Sequence, residues 1–309
     1  MMPTGFKVLK PGMLTLIQDL GRFNYRHIGL STGGAADEQA YLWANRLLDN
    51  PANSPALEIC FGGLQLQALT DSQIAITGAD MLVTRNKEPL ANWQSHAIKS
   101  GDTLSFAYAK SGIRTYLAVK GGFQITPSFG SVATVIREKT GGLDGTGNPL
   151  KAGDLLPCRI SKPEIRTRVP SMFVPDYQQP LIVSVIVNQH RNDFSPSEEQ
   201  KLFHNTYQIS AQSNSMGLRL QGEAIKPKVK GIISEGTAFG SIQIPPDGQP
   251  IILLKDRQTI GGYPLLGSVF PMDAFLLAQQ QAMTELRFTT MTLAEAQQQM
   301  RRFYRFFGV

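Results

Sequence analysis

A mainly β fold with a few helices is what this chain of 309 residues predicts, on three observations. Charged side chains make up only 17% of the residues, against 29 Gly and 19 Pro, which suits short strands and turns better than long solvated helices. Most apolar runs are of strand length, β-prone, and closed by turn formers. Helical periodicity with a start or stop signal occurs at three places only. With 42% apolar content the chain can bury a large core, and its length fits two average domains or one large β-rich one.

The elements follow in order. Strands are expected over 57–59, 64–66, 74–76, 103–106, 114–119, 181–187, 217–220, 241–244, 251–254 and 286–288. The first helix should span about 36–48, where Ala36, Ala40, Trp43, Ala44, Leu47 and Leu48 make one apolar stripe and Asn50-Pro51 ends it. The second opens at Ser195-Pro196-Ser197-Glu198, a Ser cap with Pro at the first helical position and Glu at the third. The third opens at Thr292-Leu293-Ala294-Glu295 and should bury Leu293, Ala296, Met300 and Phe303. Between Pro157 and Pro180 the composition turns basic and proline-rich, including Pro163, Glu164, Arg166 and Arg168. That reads as a linker, giving two β-barrel-like domains over 1–160 and 161–309.

The net charge of +6 comes from 30 basic and 24 acidic residues that are scattered along the chain. No long basic run carries interleaved aromatics, so no nucleic-acid partner is expected. The strongest apolar stretch, 181–187, is about a third of a membrane span, and residues 1–12 hold no continuous apolar stretch. A soluble, cytoplasmic protein without a membrane partner is expected, with Cys60 and Cys158 reduced and buried. His27, His96, His190 and His204 form no metal-type pair, so no metal site is expected. There is no GxSxG elbow, no GxGxxG and no Walker loop.

Polar side chains crowd three segments. The first holds Gln18, Asp19, Arg22, Tyr25 and His27, then Asp37 beyond a Gly-Gly pair and Asn45 in the first helix. Asp37 is equally well a first-turn acid favoured by the helix dipole; Asn45, on a helix with an apolar stripe, reads first as a structural hydrogen-bonder, and the density of polar residues in this Gly-rich stretch is what favours a functional reading. The second segment is Asn214, Met216, Gly217 and Arg219, flanking a strand. The third runs from Gln243 through Pro245-Pro246-Asp247-Gly248 to Asp256-Arg257-Gln258-Thr259, Gly261-Gly262 and Tyr263. A turn needs a Gly and an Asn or Asp; this segment offers a carboxylate, a guanidinium, an amide and a hydroxyl where the backbone can approach a ligand closely.

At these segments the chain resembles the allophanate hydrolase subunit 2 family of biotin-dependent carboxyltransferase-like proteins, and within it the stand-alone bacterial branch, the C subunit of 5-oxoprolinase. The resemblance rests on Gln18-Asp19-Leu20-Gly21-Arg22, Gly34-Ala35-Ala36-Asp37, Ala44-Asn45, Thr77-Gly78-Ala79, Met216-Gly217-Leu218-Arg219, Gln243 to Pro250, and Asp256 to Pro264. It implies two cyclophilin-like β-barrels around a cleft, without implying isomerase activity. It also implies action on a –C(=O)–NH– group: hydrolysis of a lactam, 5-oxoproline, to L-glutamate with ATP and Mg supplied to the complex. Partners would be homologues of the B and A subunits of 5-oxoprolinase and a small amide or lactam. The alternatives are biotin-dependent carboxyl transfer to urea or a related amide, with biotin carried by a partner, and non-catalytic sequestration of a kinase-inhibitor partner. Under the leading reading Asp19, Arg22, Asp256 and Arg257 are catalytic, and Gln18, Asp37, Asn45, Arg219, Gln243, Gln258 and Tyr263 bind substrate. Ala36, Ser215 and Leu218 depart from the family pattern.

Overall fold

The computed structural model describes residues 5–162, 166–187 and 193–309; Pro163, Glu164 and His190 lie outside them. The chain forms two compact units, one from Met1–Phe23 and Gly33–Gln178, the other from Asn24–Thr32 and Gln179–Val309. Composition alone points to a break near 160, but contacts carry the first unit further. Thr167 Oγ1 donates to Leu47 O (2.8 Å) and Val169 N–H to Trp93 O (2.9 Å). The Tyr177 hydroxyl reaches Asp37 at 2.9 Å. The stretch Asn24–Thr32 lies outside the unit that flanks it in sequence and is built into the second.

The first unit contains two sheets. One runs Leu155–Leu156, Phe6–Pro11, Leu64–Ala68, Thr103–Ser105, Thr84–Arg85, Glu88–Pro89; the other runs Leu14–Gln18, Ala56–Cys60, Ser111–Val119, Ser72–Asp80, Gln94–Ile98. Leu64–Ala68 alternates buried and half-buried residues, as expected where one sheet face meets a core. Ala56–Cys60 is buried throughout, and Ser72–Asp80 nearly so, because the other face of their sheet is covered too. Helix α1 (Glu38–Arg46) packs on Ser111–Val119 and Ser72–Asp80, and Thr77 Oγ1 donates to Ala40 O at 2.7 Å.

A buried polar network fixes where α1 begins. Asp37 caps it, Oδ1 accepting from Ala40 N–H at 3.0 Å while Oδ2 accepts from the Tyr177 hydroxyl. The Tyr116 hydroxyl accepts from Asp37 N–H (2.8 Å) and donates to Glu58 Oε2 (2.6 Å). The same Glu58 oxygen accepts from Ala36 N–H at 2.9 Å, and Arg114 lies 3.7 Å from Oε1. Burial, then the neighbouring carboxylates Glu58 and Asp37, push the Tyr116 hydroxyl well above its usual range, so it remains a proton donor. At the other end of α1, Asn45 Nδ2 donates to Ser54 O (3.0 Å) and its Oδ1 accepts from Asn50 (3.0 Å). Both cysteines are free and buried, and burial pushes Cys60 up to about 12.

The second unit is a closed barrel. Its order is Leu181–Val187, Leu265–Val269, Ser241–Gln243, Ile251–Leu253, Gly217–Gln221, Tyr207–Ile209, Glu285–Thr290. The last strand pairs in parallel with the first and closes the ring. The interior is filled by Val183, Val185, Leu218, Leu220, Ile242, Ile252 and Leu266 with their neighbours. Helix α2 (Pro196–His204) starts on Ser195, which accepts from Glu198 N–H; Glu198 turns outward to Lys201 and Lys226 N–H instead of completing a box. Helix α3 (Pro271–Leu277) is not among the expected helices: Pro271 at its first position and Asp273 in its first turn are start signals, but Phe270 supplies no side-chain cap. Helix α4 (Leu293–Phe307) has the expected capping box. It buries Ala296 and Phe303, but Leu293, in its first turn, is 60% exposed and Met300 only half-buried. Among the described residues, no helix is long and apolar enough to cross a membrane.

Tyr116→Phe should leave Asp37 N–H without an acceptor and remove one donor from Glu58, both in the interior. We expect a loss of about 2–3 kcal/mol in urea unfolding with an unchanged m value. A loss below about 0.5 kcal/mol would remove the network from the forces that hold α1.

Candidate functional site

Three neighbouring barrel strands lay out one face of the second unit. In the register Arg219 stands opposite Ile251, and Ile251 on its other side stands opposite Gln243. Opposed residues point to the same side of a sheet, so these three form a row. Gly217 opposite Leu253 forms a second row on that face, two residues along. The alternate residues Leu218, Ile242 and Ile252 point into the core. The rows therefore lie on the outside of the barrel.

They floor a hollow of about 150 Å³, lined by Asn214, Met216, Gly217, Arg219, Gln243, Ile251, Leu253, Gln258 and Tyr263. Its walls come from the turn before Gly217 and the loop after Leu254. The two are stitched together: Leu254 N–H donates to Met216 O (2.9 Å) and Asp256 N–H to Ser215 O (3.1 Å). Gln258 Nε2 donates to Gln243 Oε1 at 3.3 Å, which fixes the amide orientation of both side chains. Gln243 is only 2% exposed, whereas Tyr263 at the rim is 41% exposed. A side chain at Gly261 would place its Cβ 2.4 Å from Gln243 Nε2, so glycine there preserves the position of that amide.

The loop bearing Gln258 is held by a residue that sequence reading passed over. Arg26, from the stretch built into this unit, donates through Nη2 to Thr237 O (2.6 Å) and Thr259 O (2.7 Å). Thr237 Oγ1 donates to Gln258 O, and Thr237 N–H donates to Thr259 O at 3.1 Å. Ser31 Oγ donates to Arg257 O at 3.0 Å. Arg257 is buried at 7% exposure, and its Nη1 donates to Leu254 O at 3.2 Å. Burial first, and Arg26 second, bring this guanidinium down to about 10, which still leaves it charged at neutral pH. Only the clustering of Arg26 with Tyr25 and His27 in a Gly-rich stretch hinted at this role.

The sequence-selected residues thus divide. Arg219, Gln243, Gln258 and Tyr263 line the hollow, and Asp256 and Arg257 belong to the loop that forms its wall. Gln18, Asp19, Arg22, Asp37 and Asn45 belong to the first unit and are all at most 3% exposed. Asp19 has both oxygens engaged: Oδ1 accepts from Gly21 N–H (2.8 Å) and Ser131 Oγ (2.7 Å), Oδ2 from Val132 N–H (2.8 Å). Arg22 donates to Ser128 O (3.2 Å) and Ala133 O (3.1 Å), and Gln18 to Thr134 O (3.3 Å). These bonds tie 18–22 to 128–134, and Asp37 and Asn45 stand at the two ends of α1.

The lining of the hollow is suited to a small amide. Asn214, Gln243 and Gln258 each carry an amide oxygen and an amide N–H₂, the complement of a –C(=O)–NH– edge. Met216, Ile251 and Leu253 supply apolar surface, and Arg219 the only charge on the lining. No lining residue is Asp, Glu, His, Ser, Thr, Cys or Lys, so the lining can bind and orient a small molecule but supplies no strong nucleophile or base. Its volume is about half that at which drug-sized pockets begin, roughly 300 Å³.

Arg26→Leu should free the loop that carries Gln258. We expect about 2 kcal/mol of lost stability, less than two charged hydrogen bonds would give because repulsion of Arg257 is relieved. Hydrogen exchange of the Thr237 and Asp256 amides should quicken. Unchanged exchange would show that the loop keeps its shape without the clamp.

Residues 28–290 match the family described as carboxyltransferase domain, subdomain A and B. The chain is 35% identical over 291 residues to the C subunit of 5-oxoprolinase from Escherichia coli (strain K12), covering 94% of this chain and 92% of that one. It is 34% identical to the C subunit of 5-oxoprolinase from Haemophilus influenzae, covering 91% and 89%. The crystal structure of K. lactis urea amidolyase superposes with a TM-score of 0.89 at 26% identity over 97% of this chain, which spans only 19% of that much longer one. From residues, register and relatives together, the chain belongs to the carboxyltransferase domain, subdomain A and B, family.

Proposed function

We propose that this chain is one component of an ATP-dependent 5-oxoprolinase that opens 5-oxoproline to L-glutamate, working in the cytoplasm with homologues of that enzyme's B and A subunits. The observation that carries the reading is the hollow: three orientable amides around a space of about 150 Å³, in a chain 35% identical to a 5-oxoprolinase C subunit. Gln258 and Gln243, already bonded to each other, present their remaining groups to the lactam edge, and Ile251 and Leu253 lie under its methylenes.

A lactam resists water because its nitrogen donates into the carbonyl. Transfer of the γ-phosphoryl of ATP to the carbonyl oxygen releases ADP and withdraws that donation. Water then adds to the carbonyl carbon, the C–N bond breaks with protonation of the nitrogen, and phosphate leaves. The hollow offers no carboxylate for Mg and too little space for a nucleotide, so ATP with its Mg is assigned to the partner subunits. Asp256, expected from the family resemblance to be catalytic, is the acid on the wall loop, and proton handling is the role this reading gives it. Arg257, in the same loop and still charged at neutral pH, is given the stabilisation of developing phosphate charge in this reading.

A second reading, biotin-dependent carboxyl transfer to urea or a related amide, is favoured by the family's description and by 28% identity to urea amidolyase of Saccharomyces cerevisiae. Biotin would arrive on a partner, since the chain has no Met-Lys-Met carrier motif.

Co-expression with the A and B homologues should give glutamate release from 5-oxoproline that requires ATP. No release from the full set, together with a co-purifying biotinylated protein, would transfer the assignment to carboxyl transfer. Within an active complex, Gly261→Ala should displace the Gln243 amide and lower kcat/KM for 5-oxoproline about tenfold or more, with the melting temperature nearly unchanged. Equal activity would remove Gln243 from the binding surface.

A further inference from the structure

We infer that Arg219 holds the carboxylate of the substrate, so that the hollow selects an acidic lactam over a neutral amide such as urea. This rests on the reading of the hollow as the amide site. The row Arg219, Ile251, Gln243 sets a guanidinium and an amide on either side of one apolar residue, on one face of the barrel. The strand fixes the base of the arginine: Arg219 N–H donates to Ser213 Oγ (3.0 Å), and its carbonyl accepts from Ser210 N–H (2.8 Å). Its guanidinium has no hydrogen-bond or ion-pair partner among the described residues, although it is exposed beside a buried amide.

The rest of the lining sharpens the argument. No acid is among the lining residues, so none of them neutralises Arg219, and a neutral ligand would leave its five donors to water. A ligand carrying a carboxylate next to its amide would meet the guanidinium fork with one end and Gln243 and Gln258 with the other. Urea has no group for the first of these contacts. The exposure of Arg219 keeps water and salt close to the charge, so the expected gain is about tenfold rather than the larger factor of a buried pair.

The test compares dissociation constants of 5-oxoproline, of 2-pyrrolidinone (the same ring without the carboxylate) and of urea. They are measured calorimetrically for the full chain, alone and with its partner subunits. Wild type should bind 5-oxoproline about tenfold more tightly than 2-pyrrolidinone, and added salt should weaken the acid only. Arg219→Gln should abolish that preference while leaving 2-pyrrolidinone within about twofold, Arg219→Lys should retain part of it, and Gln258→Leu should weaken both lactams. If Arg219→Gln binds 5-oxoproline as wild type does, or wild type binds the two lactams equally, the carboxylate role is overturned while the lactam reading stands. If neither lactam binds wild type in either state, both are overturned.

Discussion

The register of three barrel strands is the constraint on which the site depends. It sets Arg219, Ile251 and Gln243 side by side on the outside while Leu218, Ile242 and Ile252 fill the inside. A slip of one residue in the strand bearing Arg219 would turn a guanidinium into the core and a leucine out, so core and site specify each other. Closure of the ring, through the parallel pairing of Leu181–Val187 with Glu285–Thr290, leaves none of the seven strands with a free edge. The rigid part of the hollow is therefore its floor.

The walls are made differently. Irregular chain from Leu254 to Tyr263 covers the outer face and accounts for the burial of Gln243 and Leu253 there. Such a loop has many backbone groups to satisfy, and Arg26 meets two of them with one guanidinium nitrogen. The first unit uses similar residue types to the opposite end. Asp19, Asp37, Asn45 and Glu58 accept from backbone N–H, hydroxyl or amide groups in the interior and have little capacity left for a ligand. Polar side chains are saturated by the protein in the first unit and left partly open along the hollow of the second.

Much of this was legible in the sequence, for reasons that can be stated residue by residue. The short apolar runs at 181–187, 217–220 and 251–254 announce strands because alternation and turn residues are local signals. The clusters around Arg219 and from Gln243 to Tyr263 stand out because no turn requires so many side-chain donors and acceptors. Asp19 and Arg22 show the limit. Their partners, Ser131, Val132, Ser128 and Ala133, lie over 100 positions away, and nothing nearby in sequence tells a saturated carboxylate from an available one. Arg26 was obscured for the same reason, and α3 because Phe270 gives no capping signal.

The excursion of Asn24–Thr32 into the second unit also sets an order of events during synthesis. Arg26 leaves the ribosome early, but Thr237 and Thr259 follow it by 211 and 233 residues. At about 5–20 residues per second, the early segment waits on the order of 10–50 seconds for its partners. Through that interval the chain on either side of the segment can mature while Arg26 stays in water as an unclaimed tether. Cutting the gene between the two halves would strand that tether on the wrong piece.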